Sequence, residues 1–149
     1  MKLREVVDDD LDELFAQQAD PESYTLADLP PRERPGFDAH WARIRSDPDV
    51  TIRTIDLDGR VAGHVLSFER AGMRLVGYWL GREHWGNGLA TEALAGLLEI
   101  ETRRPLHAQV AKANRGSIRV LEKNGFRRVD ERTDGFVYEL SDSKPSTRP

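Results

Sequence analysis

The sequence predicts a mixed α/β fold, and three observations carry that expectation. Asp58-Gly59 stands between two strand-like runs, "VTIRTIDL" and "VAGHVLSFE", and a third run, "MRLVGYWLG", follows closely, so the middle of the chain reads as an antiparallel meander. A wide apolar stripe comes next, with Leu89, Ala93, Leu97 and Ile100 on one row and Ala90, Leu94 and Leu98 beside it, the spacing of a helix that buries one face. Strand-like and helix-like segments alternate on both sides of this pair.

Taken in order, "KLREVV" suits a first strand, and "DDDLDELFAQQA" a helix whose early acidic residues complement the positive end of its dipole. The stretch "DPESYTLADLPPRERPG" is rich in proline and polar residues and reads as an irregular connection. In "FDAHWARIRS", Phe37, Trp41 and Ile44 share one helical face. After the meander and the long helix, "PLHAQVAKA" reads as a strand. "NRGSIRVLEKNGF" reads as a short helix closed by Gly125, a residue free to take the left-handed cap. "FRRVDER" and "GFVYELSD" supply two last strands. The tail, residues 142–149, has nothing to bury and is expected to be disordered, leaving one domain over residues 1–141.

A chain of 149 residues is one domain by size, and 38% hydrophobic with 32% charged residues is the composition of a soluble globular protein. The net charge of -4 gives no general attraction to nucleic acid or anionic lipid. Cysteine is absent, which removes disulfides and thiolate catalysis. No apolar run approaches a membrane span and the N-terminus lacks the core of a signal peptide, so a cytoplasmic location is expected.

The stretch "GREHWGNGLATEAL" puts Gly86 and Gly88 at a strand-to-helix junction. The first N–H groups of a helix lack intrahelical partners and carry partial positive charge, so such an end suits an anion such as phosphate. A side chain at either glycine would hold a diphosphate away from those donors. A tight turn would equally use two glycines. A Walker loop needs Lys and then Ser or Thr after its last glycine, where Leu89-Ala90 stand. A dinucleotide fingerprint needs a small residue at Thr91 and a carboxylate ending the next strand, and neither is present.

What remains resembles the GNAT superfamily of acyl-CoA-dependent N-acetyltransferases. Its Gln/Arg-x-x-Gly-x-Gly/Ala hallmark is matched by Glu83-His84-Trp85-Gly86-Asn87-Gly88, with Glu83 in place of Gln/Arg and Arg82 one residue earlier. "NRGSIRVLEKNGF" resembles the Asn-x-x-Ser … Lys-x-Gly-Phe segment of the Rim-type branch, which acetylates the α-amino groups of ribosomal proteins, and "GYWLGREHWGNGLATEAL" is similar to that branch too. The resemblance covers residues 48–141 well and the first 47 in outline.

The family resemblance implies a central, mostly antiparallel, splayed sheet of about six or seven strands with about four helices. It also implies acetyl-CoA as cosubstrate, with no metal. Trp79 and Leu80 would offer backbone groups to the pantetheine arm in the gap between the fourth and fifth strands. Trp85, Gly86, Asn87, Gly88, Leu89, Ala90 and Thr91 would wrap the diphosphate. Asn114 would bond the arm or face the acceptor, unless it serves as a plain N-cap. The Leu80 amide would serve as oxyanion donor. Many relatives carry a proton-donating tyrosine at the position of Leu121, counted here among the cofactor-lining residues; the related branch points to Ser117 as donor of a hydrogen bond to the thiolate. Tyr78 and Tyr138 are the other hydroxyl candidates, each also readable as core.

The acceptor would be a primary amine, on a protein N-terminus or a small molecule. An α-amine with a pKa near 8 is roughly a tenth neutral at pH 7, so a strong base is dispensable for it. His64 and His84 could relay a proton, and Glu83 reads as solvent-facing. Asp28, Glu33 and Asp38 lie in the stretch that covers the amine side in the family, and each could attract a cation or simply face solvent. The family is often dimeric, and the sequence does not separate monomer from homodimer. The alternative from another class is an acyl-CoA sensor or partner-binding module that has lost turnover.

Overall fold

A computed structural model describes residues 1–27 and 30–141. The elements run β1 (Lys2–Arg4), α1 (Leu11–Gln18), α2 (Pro21–Ala27), α3 (Arg34–Ser46), β2 (Thr51–Leu57), β3 (Arg60–Arg70), β4 (Met73–Leu80), α4 (Leu89–Ile100), β5 (Leu106–Ala111), α5 (Arg115–Lys123), β6 (Arg127–Glu131) and β7 (Gly135–Leu140), with 3-10 turns at Asp8–Asp10 and Arg82–His84. Seven strands form one sheet in the order β1-β2-β3-β4-β5-β7-β6. Every neighbouring pair is antiparallel except β4 and β5, which α4 connects in parallel.

The meander forms as its turn residues dictate. Asp58 and Gly59 both take positive φ, 54° and 87°, the geometry a two-residue hairpin requires. Ala71 and Gly72 repeat it between β3 and β4 at 53° and 80°.

One stretch differs from the expectation. Pro21–Ala27 is helical, not irregular, and α3 begins at Arg34, three residues before Phe37. Prolines argued for a loop, yet Pro21 and Pro35 both sit in the first turn of their helices, where a missing N–H breaks no bond. The helix count is therefore five among the described residues. Residues 142–149, expected to be disordered, lie outside the described residues.

Two apolar clusters hold the helices on the sheet. Leu89, Ala93, Leu94 and Leu97 of α4 pack with Ile55, Val65, Leu106 and Val110. Leu14 of α1 and Phe37 and Trp41 of α3 pack with Ile52 and Leu66. Each buried Leu or Phe contributes about 1.5–3 kcal/mol. Across the β3–β4 ladder, His64 lies opposite Trp79 and Leu66 opposite Gly77. Side chains alternate faces along a strand, so Tyr78 and Trp79 point to opposite sides of the sheet, at its centre.

Candidate active site

The β4–β5 ladder has one registered pair, Leu75 with His107, after which the two strands part. The far edge of β4 stays paired with β3 up to Leu80. A Cβ on Gly63 would lie 2.0 Å from the Trp79 carbonyl oxygen, so that carbonyl faces β3. The Gly81 N–H also faces β3, donating to the Ala62 carbonyl at 2.9 Å. Backbone polarity alternates along a strand, so the Leu80 N–H between them turns toward the gap. An unpaired edge of this kind has to find a partner, and a ligand carrying amides can supply it.

Beyond β4 the chain makes the Arg82–His84 turn and reaches Gly86 and Gly88, both left-handed at φ 83° and 82°. A Cβ at either would meet no atom within 4 Å, so the space beside both glycines is open. Gly88 is the N-cap of α4, whose first-turn N–H groups face that space without intrahelical partners. Trp85 is 39% exposed, and its indole N–H donates to the Leu80 carbonyl at 3.3 Å, fastening the loop to the strand end. Asn124 of the turn after α5 donates to the Thr91 carbonyl at 3.2 Å and ties the two helices together.

At the end of β5, Asn114 caps α5, its Oδ1 accepting the Ser117 N–H at 3.2 Å. Ser117 Oγ lies 2.7 Å from the Tyr78 hydroxyl, with the Ser117 carbonyl at 3.1 Å as a second acceptor for the single phenol proton. Burial pushes the Tyr78 phenol up to about 12, with the Ser117 hydrogen bond pulling weakly the other way. Tyr78 is thus a protonated donor at neutral pH.

Two cavities meet here. One of about 380 Å³ is walled by Leu80, Trp85, Gly86, Gly88, Leu89, Ala90 and Thr91. The other, about 800 Å³, lies toward α3 and includes His40, Trp41 and His64. Ala27, Tyr78, Trp79, Asn114 and Ser117 line both. The smaller cavity offers bare backbone N–H groups and open space at the glycines, which fits a diphosphate; the gap beside Leu80 fits an amide-bearing arm.

Twelve of the residues singled out in the sequence therefore converge: Tyr78, Trp79, Leu80, His84, Trp85, Gly86, Gly88, Leu89, Ala90, Thr91, Asn114 and Ser117 all line the smaller cavity. Asn87 is exposed in the loop and off the cavity wall, and Leu121 is buried in the core and reaches the larger cavity only. Tyr138 is spent on packing, its hydroxyl donating to Glu122 Oε2 at 2.9 Å. His64 stands edge-on to Trp41 at 4.9 Å, and burial, helped by His40, lowers its pKa to about 4. His84 is buried in the 3-10 turn with Glu83 Oε2 3.8 Å from its Nε2, and Glu83 is exposed. Asp38 pairs with Arg34 at 2.8 Å and Glu33 is the exposed N-cap of α3; neither lines the cavity, and Asp28 lies outside the described residues.

What sequence reasoning missed is the Tyr78–Ser117 pairing, a contact across 39 positions that no local pattern signals. No group of three or more His, Cys, Asp or Glu side chains is placed to hold a metal ion among the described residues. No helix there is long and apolar enough to cross a membrane.

The acetyltransferase (GNAT) domain family matches residues 1–127. No curated protein matches the chain. Among solved structures, spermidine N-acetyltransferase from Vibrio cholerae in complex with CoA and spermine superposes with a TM-score of 0.84 at 16% identity, covering 96% of both chains. Aminoglycoside acetyltransferase AAC(6')-Ib in complex with coenzyme A gives 0.78 at 19% identity over 94% of each chain. A GNAT-family acetyltransferase from Bacillus anthracis gives 0.81 at 16%, covering 94% of this chain and 93% of its own. At these identities the likeness is one of fold.

Proposed function

The chain belongs to the GNAT acetyltransferase family, and on that premise we propose that it moves an acetyl group from acetyl-CoA directly to a primary amine within a ternary complex. The observation that carries the proposal is the junction of the two cavities, where Tyr78, Trp79, Asn114 and Ser117 line both. One cavity ends in the anion-suited loop, the other opens toward the acceptor side, and they meet beside the free edge of β4.

Acetyl-CoA supplies the acetyl group as a thioester: the amine nitrogen forms a new C–N bond, the C–S bond breaks, and the proton leaving nitrogen ends on sulfur. Residues Trp85 to Thr91 hold the diphosphate through backbone N–H groups, with charge-assisted bonds of about 1.5–3 kcal/mol each. Leu80 presents its gap-facing backbone to the pantetheine arm, and Trp79, whose backbone faces β3, lines the arm's course with its side chain. The Leu80 N–H donates to the thioester oxygen as negative charge develops there.

Ser117 donates a hydrogen bond to the departing sulfur, and Tyr78 orients the Ser117 hydroxyl. A phenol at about 12 is a weaker acid than a thiol near 8.5, so Tyr78 donates a hydrogen bond and keeps its proton. Asn114 sets this pair in place by capping α5. Positioning is the main source of rate, since cysteine is absent and no acyl-thiol enzyme can form.

Thiol release from acetyl-CoA over a panel of primary amines, with the acetylated amine weighed by mass spectrometry, tests the proposal. Amine-dependent release is expected. Leu121, where many family members carry a tyrosine, favours a second reading as a CoA-binding sensor. Tight CoA binding with no release across the panel would establish that reading instead.

A further inference from the structure

The larger cavity also says what kind of amine it accepts, a deduction that rests on the acetyl-transfer proposal. Apolar side chains, among them Trp41, Ile44, Leu66 and Phe68, outweigh the uncharged polar groups of its lining, such as Gln18 and Gln109. Charge is confined to the mouth, where Asp47, Glu69 and Asp134 are exposed and matched by the equally exposed Arg32, Arg70 and Arg132. That rim carries no net negative field toward the interior.

Among the described residues no buried carboxylate lines the cavity. The buried acids are committed elsewhere. Asp10 and Asp56 accept from Arg4, and Glu101 accepts from Ser67 and Arg103. An ammonium group carried inside would thus lose water without gaining a buried counter-charge, a cost that contact with aromatic faces offsets only in part. His64 offers no help to a cation. Its ring lies edge-on to Trp41, Nδ1 is buried without a partner, and burial keeps the imidazole neutral. A neutral ring nitrogen can exchange a hydrogen bond with a neutral amine.

We propose that the acceptor is a primary amine of low basicity, carried on a largely apolar body, and that it enters this cavity as the neutral base. Polyamines and aminoglycosides are the opposite in both respects: polar bodies with several ammonium groups, which need several carboxylates.

Steady-state kinetics with acetyl-CoA at pH 7 test this with body-matched amines. Phenylalaninamide and 2-phenylethylamine carry the same ring, but their amines lie near the α-amino and the lysine range respectively. Their neutral fractions then differ by about 200-fold. Phenylalaninamide is expected to exceed 2-phenylethylamine in kcat/KM by up to that factor, and to exceed spermine and kanamycin by at least as much. A Phe-led tetrapeptide and aniline distinguish the source: turnover of the first indicates polypeptide N-termini, of the second small arylamines, and either supports the class. In Phe68→Glu, kcat/KM for phenylalaninamide should fall at least tenfold through KM while coenzyme A affinity, which also reports folding, stays unchanged.

Preference for spermine or kanamycin, or parity between the two ring-bearing amines, would overturn this assignment and leave acetyl transfer standing. Absence of thiol release with every amine, in protein that binds coenzyme A, would overturn acetyl transfer itself, and this assignment with it.

Discussion

A single absent methyl group at Gly63 lets β3 approach β4 where the site begins, because a Cβ there would sit 2.0 Å from the Trp79 carbonyl oxygen. Backbone cannot yield as a flexible side chain does, so Gly63→Ala should cost about 1–3 kcal/mol and lower Tm by several degrees. It should also weaken coenzyme A binding by displacing Trp79 and Leu80; unchanged melting by circular dichroism would contradict this. Gly86 and Gly88 are different, with nothing within 4 Å of a built Cβ, so their role is outward, toward a ligand. Tyr78, one of the hydroxyl candidates in the sequence, gains a partner in the structure that the sequence did not indicate. Leu121 marks the place where a family tyrosine is missing, and the hydroxyl at this site comes from β4, 2.7 Å from Ser117 Oγ. Alternation along β4 makes such a tyrosine read as core, since only the docking of α5 reveals its partner. Tyr78→Phe removes one hydrogen bond worth about 1–2 kcal/mol, so kcat should fall roughly 5- to 30-fold with coenzyme A affinity retained. An unaltered kcat in single-turnover assays would dismiss the role.

At the scale of elements, α4 is fixed at both ends, by the loop at Gly88 and by Glu101 just past Ile100. Glu101 accepts from Ser67 of β3 at 2.6 Å and from Arg103 at 2.9 Å, with Arg74 of β4 3.4 Å away. Burial pushes the Glu101 carboxyl up, but the bonds from Arg103 and Ser67 outweigh it and bring the group from 4.5 down to about 2. A lowered pKa means the native state holds its proton less tightly than the unfolded chain. The stabilisation, on the order of 2 kcal/mol, is therefore full above pH 4.5 and lost as pH falls toward 2. Urea unfolding at pH 7 and pH 3 should show Glu101→Gln less stable at pH 7 and less sensitive to the drop; identical pH dependence in both proteins would contradict the network. Elements with a strong period, α4 and the β2–β4 meander, were legible in the sequence. The helix at Pro21–Ala27 was not: proline in a first turn looks locally like proline in a loop, and packing against α1 and the sheet decides between them.

For the molecule as a whole, the order of elements and the glycine loop were readable, because each is written in contiguous residues, whereas the open β4–β5 edge was expected only from the family resemblance. The meeting of two cavities was not readable, because it depends on how α3, β4 and α5 come together in space. Twelve singled-out residues fell on one wall for a related reason: they cluster in two short segments, 78–91 and 114–117, that the fold sets side by side. Asn87 fell outside because a loop position fixes the backbone and leaves the side chain free to face solvent. Calorimetric titration of coenzyme A into the native protein and into Gly88→Glu tests the central claim most directly. Stoichiometric binding by the first, and at least a hundredfold weaker binding by the second with an unchanged circular dichroism spectrum, is the predicted result. Equal affinity in the two proteins would contradict it.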